Sequence, residues 1–187
     1  MTPDDLELDR GSIDTPLLLY RLAKNKYANL SGIGAARYPG RWNRLAQPAI
    51  YTSPSIALCV LELLVHSRKD EIPTNYSLMT IRVDDADDAS IWTMPSLKSA
   101  KERFADPRQD WPGRYRHATI TAGVERIIEG HNLGVAVPSV IVPDWNVILF
   151  PDHHRFFQHV SLVSVEPFEF DPRIFPEGIP ADTILNF

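Results

Sequence analysis

Glu62 is the single charged residue in the run Ile56-Ala57-Leu58-Cys59-Val60-Leu61-Glu62-Leu63-Leu64-Val65, and it restricts how this chain can fold. A carboxylate in such a run is either buried or set at the lip of a cleft, and burying it unpaired costs several kcal/mol. The fold must therefore bring it a partner. Shortly upstream stand Gly40-Arg41-Trp42-Asn43-Arg44 and Tyr51-Thr52-Ser53, a dense set of cationic, aromatic and hydroxyl groups. The run and these residues together outline a site.

Size and charge narrow the classes. With 187 residues, 44% hydrophobic and 23% charged, the chain suits one globular domain over residues 1–187, since domains hold roughly 100–200 residues. Nineteen basic residues against twenty-four acidic ones give a net charge of −5. That balance argues against broad electrostatic binding to nucleic acid, while a local basic pocket can still hold phosphate. Cys59 is the one cysteine and lies in the apolar run, so no internal disulfide forms and the thiol reads as a small core hydrophobe in a reducing setting. The N-terminus, Met1-Thr2-Pro3-Asp4-Asp5-Leu6-Glu7, lacks an apolar signal core, and no stretch approaches a membrane span. A cytoplasmic protein that binds no membrane is expected.

Along the chain, short apolar runs alternate with turn-rich segments. Leu17-Leu18-Leu19-Tyr20-Arg21-Leu22 reads as a strand, and residues 25–47, with Gly32, Gly34, Pro39 and Gly40, as a long loop. Ala49-Ile50-Tyr51-Thr52 is a short strand. Ser53 then caps a helix with Pro54 at its first position, running to about His66. Ser77 to Val83 alternates as a half-buried strand does, and Asp84-Asp85-Ala86-Asp87-Asp88 reads as a solvated turn. Residues 95–117 form an irregular connection, and Thr119 to Glu129 has helical spacing. Val135 to Val142, Asn146 to Phe150 and His159 to Val165 read as three strands, with a bulge expected at Pro138, where a ladder hydrogen bond is missing. The fold class is α/β or α+β, a single domain with one mixed central sheet flanked by helices.

Three blocks carry a family resemblance. They are Leu30-Ser31-Gly32-Ile33-Gly34-Ala35 leading to Gly40-Arg41-Trp42-Asn43; Ile50-Tyr51-Thr52-Ser53 with Leu61-Glu62 and His66; and Val137-Pro138-Ser139 followed by Phe168-Glu169-Phe170-Asp171-Pro172-Arg173. In order and spacing, over most of residues 17–175, they resemble the RES domain, the toxin of bacterial Xre–RES toxin–antitoxin pairs. That family takes its name from an arginine, a glutamate and a serine, which match Arg41, Glu62 and Ser139. The chain departs from the family pattern at Gly123-Val124-Glu125-Arg126 and at Phe150-Pro151-Asp152-His153-His154.

The resemblance implies a fold similar to ADP-ribosyltransferases, NAD+ as substrate, and an Xre-like helix-turn-helix antitoxin that covers the active site. The residues suit that chemistry. Cleaving the nicotinamide–ribose bond develops oxocarbenium character, which a carboxylate beside the sugar stabilises as it arises, and Glu62 is the candidate. A guanidinium binds pyrophosphate oxygens bidentately, with Arg41 the first choice and Arg21 the second. Tyr51 is the candidate platform under the nicotinamide ring, and Ser139 would bond to the ribose or the amide.

Each residue has a plainer role open to it. Arg41 could simply pair with Glu62, Tyr51 could be core with its hydroxyl at the rim, and Ser139 could satisfy local backbone. Trp42 reads as core, and Asn43 could shape the loop rather than touch substrate. His153, His154 and His159 lack metal-ligand spacing, so no metal is expected. There is no Gly-x-Ser-x-Gly elbow and no phosphate-cradling glycine motif.

Three functions stay open. The first is an NAD+-depleting toxin, hydrolase or phosphorylase, and the second is a transferase that attaches ADP-ribose to a host protein. The third is a ribonuclease toxin or a non-catalytic binding module.

Overall fold

The apolar run that opens β1 (Leu17–Lys24) and the alternating burial along β3 (Tyr76–Val83) suit paired strands, and the two pair antiparallel without a break, from Leu17 opposite Val83 to Lys24 opposite Tyr76. The computed structural model describes residues 16–40, 42–67, 73–84, 91–93, 132–139, 141–142 and 144–174. On the other edge of β3, β7 (Val160–Phe168) completes an antiparallel sheet of order β1-β3-β7. Leu19, Met79, Ile81 and Val83 face inward and are fully buried.

The second sheet has the order β2-β6-β5-β4, built from β2 (Ile50–Thr52), β4 (Ile91–Thr93), β5 (Gly134–Pro138) and β6 (Trp145–Leu149). Its β4–β5 pair is parallel and the others are antiparallel, so this is the mixed sheet of an α+β fold. The side chains of β6 alternate between its faces. Val147 and Leu149 join the main core with Leu19, Ile50 and Met79, while Ile148 and Phe150 pack with Trp42, Val135 and Val137 on the opposite face. One mixed sheet was expected from the sequence, and the strands instead divide between two sheets. Two backbone hydrogen bonds join them, Tyr20 N to Ser53 O at 2.8 Å and Ser53 N to Tyr20 O at 2.9 Å.

Among the described residues, three short α-helices connect the strands: α1 (Ile33–Arg37), α2 (Ile56–Leu64) and α3 (Phe156–His159). Helix α1 interrupts the segment read from sequence as a loop. It starts after Gly32, whose φ of 63° is left-handed and whose missing Cβ leaves room for the Ala49 backbone. Helix α2 is capped by Ser55, whose Oγ accepts from Leu58 N at 3.1 Å, and not by Ser53 as the sequence suggested. The backbone of Ser53 is already committed to the bridge with Tyr20.

The expected bulge at Pro138 also differs. Pro138 ends β5 opposite Trp145, where its missing N–H interrupts no further ladder. The extra residue is Val163 in β7, because Thr80 opposes Ser164 while Ile81 opposes Leu162. His159 closes α3 rather than opening a strand. Residues 85–88 of the acidic turn, the connection at 95–117 and the helix expected at 119–129 lie outside the described residues. Among the described residues, no helix is long and apolar enough to cross a membrane.

Met79→Ala at the centre of β3 should lower unfolding free energy by about 2–5 kcal/mol through a buried cavity. Val163→Ala at the exposed bulge should stay within about 0.5 kcal/mol of wild type. Paired urea denaturation curves measure both.

Candidate functional site

Helix α2 presents Leu58, Cys59 and Glu62 on one face, since residues three and four apart are neighbours on a helix. Leu58 and Cys59 are buried against the body of the protein. The Cys59 thiol donates to the Tyr20 carbonyl at 2.9 Å, which seats the helix over the junction of the two sheets. Glu62 is thereby carried, half-buried, to the end of the second sheet. There its Oε1 accepts from Ser139 Oγ at 2.8 Å and from Asn146 Nδ2 at 2.6 Å.

Both donors are themselves fixed. Ser139 is buried just past β5, with its N–H bonded to Asp144 O at 2.9 Å. Its Oγ accepts from Ile141 N at 3.1 Å, which directs its single proton toward Glu62. Asn146 lies on β6, and its Oδ1 accepts from Ser53 Oγ at 2.5 Å. Glu62 thus receives two neutral donors on one oxygen. Among the described residues, Oε2 has no hydrogen bond and no cation neutralises the carboxylate.

A second network holds Tyr51, which is on the same face of the sheet as Ser53. Its hydroxyl donates to Asn43 Oδ1 at 2.9 Å and accepts from Trp42 N at 3.0 Å. Buried Asn43 also accepts from Gly40 N at 2.8 Å and donates from Nδ2 to the carbonyls of Ala35, Arg44 and Gln47 at 2.9, 3.0 and 3.0 Å. Asn43 therefore shapes the loop. A Cβ on Gly40 would overlap the Tyr51 hydroxyl and ring, so the close approach requires glycine. Trp42 is core, packed with Tyr51, Ile148 and Phe150.

Arg41, the first-choice phosphate ligand, lies outside the described residues, although Gly40 and Trp42 on either side are both tied to the Tyr51–Asn43 pair. Arg21 projects from β1 on the same face as Leu19 and Ala23. Its Nη1 is buried without a hydrogen-bond partner among the described residues. Burial pushes the Arg21 guanidinium below its ordinary value, and the nearby Cys59 opposes that shift. Burial in turn pushes the Cys59 thiol up, against smaller opposing effects from Ser53, Leu22 and Arg21.

The structure thus brings Glu62 and Ser139 together directly and holds Tyr51 beside the ordered loop. It adds Asn146, which sequence reasoning missed, and gives Ser53, which the sequence placed in the site's neighbourhood as a helix cap, a contact to Asn146 instead. His153 and His154 stack on each other with ring centroids 4.6 Å apart. Among the described residues, no three His, Cys, Asp or Glu side chains gather as metal ligands.

Comparison with known proteins follows the same outline. The family model described as RES domain matches residues 18–171. A protein named Toxin Res from Photorhabdus laumondii is 35% identical over 164 residues, covering 84% of this chain and 97% of that protein. One of the same name from Yersinia enterocolitica is 33% identical, covering 84% and 99%. A Sphingobium protein named Prs ADP-ribosylating toxin is 30% identical, covering 78% and 86%. A solved structure described as the M. tuberculosis MbcT-MbcA toxin-antitoxin complex has a chain of similar fold, with TM-score 0.58, 23% identity and coverage of 87% and 88%.

Asn43→Ala should destabilise the chain by about 2–4 kcal/mol, because several partners at about 1 kcal/mol each lose their bond at once. Thermal denaturation measures it. For Cys59, the folded value lies above the unfolded one, so its contribution to stability is fully present below the unfolded value, about 8.5, and is lost as pH rises through the folded one. Wild type should therefore lose stability above about pH 8.5, and Cys59→Ala should lose less over the same range in parallel urea titrations.

Proposed function

The chain belongs to the RES domain family, and from that premise we propose that it is the toxin of a toxin–antitoxin pair that breaks the nicotinamide–ribose bond of NAD+. One observation carries this reading. Glu62 is a carboxylate held by two neutral donors and, among the described residues, by no cation. A carboxylate already neutralised by a salt bridge would have little charge to offer a cationic transition state. With neutral donors as its partners among the described residues, Glu62 is placed to stabilise positive charge as it develops beside it.

The step is a glycosidic cleavage. As the bond from ribose C1 to nicotinamide lengthens, its electron pair passes to the ring nitrogen and discharges the pyridinium. Positive charge moves onto C1 and the ribose ring oxygen, next to Glu62. An oxygen of water or inorganic phosphate then supplies the pair for the new bond to C1. Water releases a proton and yields ADP-ribose, whereas phosphate yields the ADP-ribose phosphate ester. Tyr51 serves as the platform for the nicotinamide ring, and its two hydroxyl contacts keep the ring from swinging away. Arg41 and Arg21 bind the pyrophosphate, a role supported by the Nη1 of Arg21, which has no hydrogen-bond partner among the described residues.

A second reading has its own support. The Sphingobium relative is named an ADP-ribosylating toxin, and the same cleavage delivers ADP-ribose to a protein side chain when that group replaces water. The partner expected in either case is an Xre-like antitoxin covering the site. Leu61 and Val65, one turn apart on the helix that carries Glu62, are 39% and 56% exposed, which supports a covering partner with an apolar surface.

The test is the fate of NAD+ with purified protein, wild type beside Glu62→Gln, with and without inorganic phosphate, followed by mass analysis. Wild type should release nicotinamide, with the substitution slowing release about 100-fold or more. A covalent ADP-ribose phosphate ester would name phosphate as acceptor, and free ADP-ribose would name water. Unchanged NAD+ in every tube, from protein that still arrests growth, would overturn NAD+ depletion and favour a protein target.

A further inference from the structure

The proposed chemistry assigns Glu62 a role, but two side chains that help decide how its carboxylate is turned, Asn146 and Ser53, have none in it. Asn146 Nδ2 donates to Glu62 Oε1 at 2.6 Å, and Asn146 Oδ1 accepts from Ser53 Oγ at 2.5 Å. A carboxylate accepts only, so it fixes which end of the Asn146 amide faces it, and the Ser53 hydroxyl completes the other end. Each donor in this chain points toward Glu62, an arrangement in which successive hydrogen bonds polarise one another.

Ser139 Oγ donates to the same Oε1 at 2.8 Å, so both neutral donors converge on one oxygen. Ser53 is 3% exposed and its backbone is pinned on both sides by Tyr20, so the far end of the chain cannot drift. We propose that Ser53 and Asn146 are positioning residues that lock the Glu62 carboxylate with Oε1 occupied and Oε2 presented to a ribose hydroxyl. This rests on the NAD+ reading for the identity of the ribose, while the lock itself is a property of the free protein.

Two arms separate the lock from the reaction. In the first, 15N-labelled wild type is compared with Glu62→Gln by NMR, with the Asn146 side-chain amide assigned by its loss in Asn146→Ser. The lock predicts an Asn146 amide proton shifted downfield and slow to exchange in wild type, with both properties reduced in Glu62→Gln, which removes the charge-assisted bond. An Asn146 amide that ignores the Glu62 substitution overturns the proposal whether or not NAD+ is the substrate.

In the second arm, NAD+ turnover is measured for wild type, Asn146→Ala and Ser53→Ala, each shown to be folded by its thermal transition. Misaligning a reacting group by about 1 Å costs about 100-fold. Asn146→Ala should therefore lower kcat about 10–100-fold with KM within about twofold of wild type, and Ser53→Ala should do so to a smaller extent. A raised KM with unchanged kcat would make Asn146 an ordinary substrate contact and overturn the positioning role. If wild type leaves NAD+ intact, the substrate reading falls, and the NMR arm alone decides the lock.

Discussion

Two backbone hydrogen bonds between Tyr20 and Ser53 are the joint on which the rest of the protein depends. They connect the antiparallel sheet to the mixed one through the free edge of β1. Everything that meets at Glu62 is measured from this joint. Ser55, two residues on, starts the helix that carries the carboxylate. The Cys59 thiol returns to the Tyr20 carbonyl, and the Ser53 hydroxyl reaches Asn146. A buried polar network of this kind is stabilising only while every member is satisfied. Its geometry consequently passes from backbone to helix to carboxylate with little freedom at any link.

The anomaly at Glu62 was legible because physics makes it expensive: a lone carboxylate in an apolar run must find partners. That those partners would be neutral was not legible. The sequence drew attention to arginines nearby in the chain, whereas the donors come from positions 77 and 84 residues away. Ser139 was reached through the family resemblance. Asn146 was missed because a polar residue at the start of an apolar strand usually means only a strand end, and its place beside Glu62 depends on a sheet register that no local pattern encodes.

Ser53 and Ser55 show the same limit at shorter range. The segment Ser53-Pro54-Ser55 offers two helix caps with similar credentials. Tertiary pairing removes one of them by engaging the Ser53 backbone. Helix α1 escaped notice for a different reason, being five residues long and shorter than the period that would reveal it. The long strands β1 and β3 were read nearly to their ends, β1 from its apolar run and β3 from its alternation of apolar and polar side chains. Asn43 stands between these cases. Its loop-shaping role was open in the sequence, and only its five hydrogen bonds decide it.

Arg21 carries a consequence of another kind. A buried guanidinium nitrogen without a partner among the described residues is a defect in the free fold. An anion bound to it in the native chain would stabilise the fold by mass action. The lifetime of the folded molecule would then follow the supply of that anion. Abundance and ligand concentration would be coupled through one side chain, with the protein most fragile where such a ligand had run out.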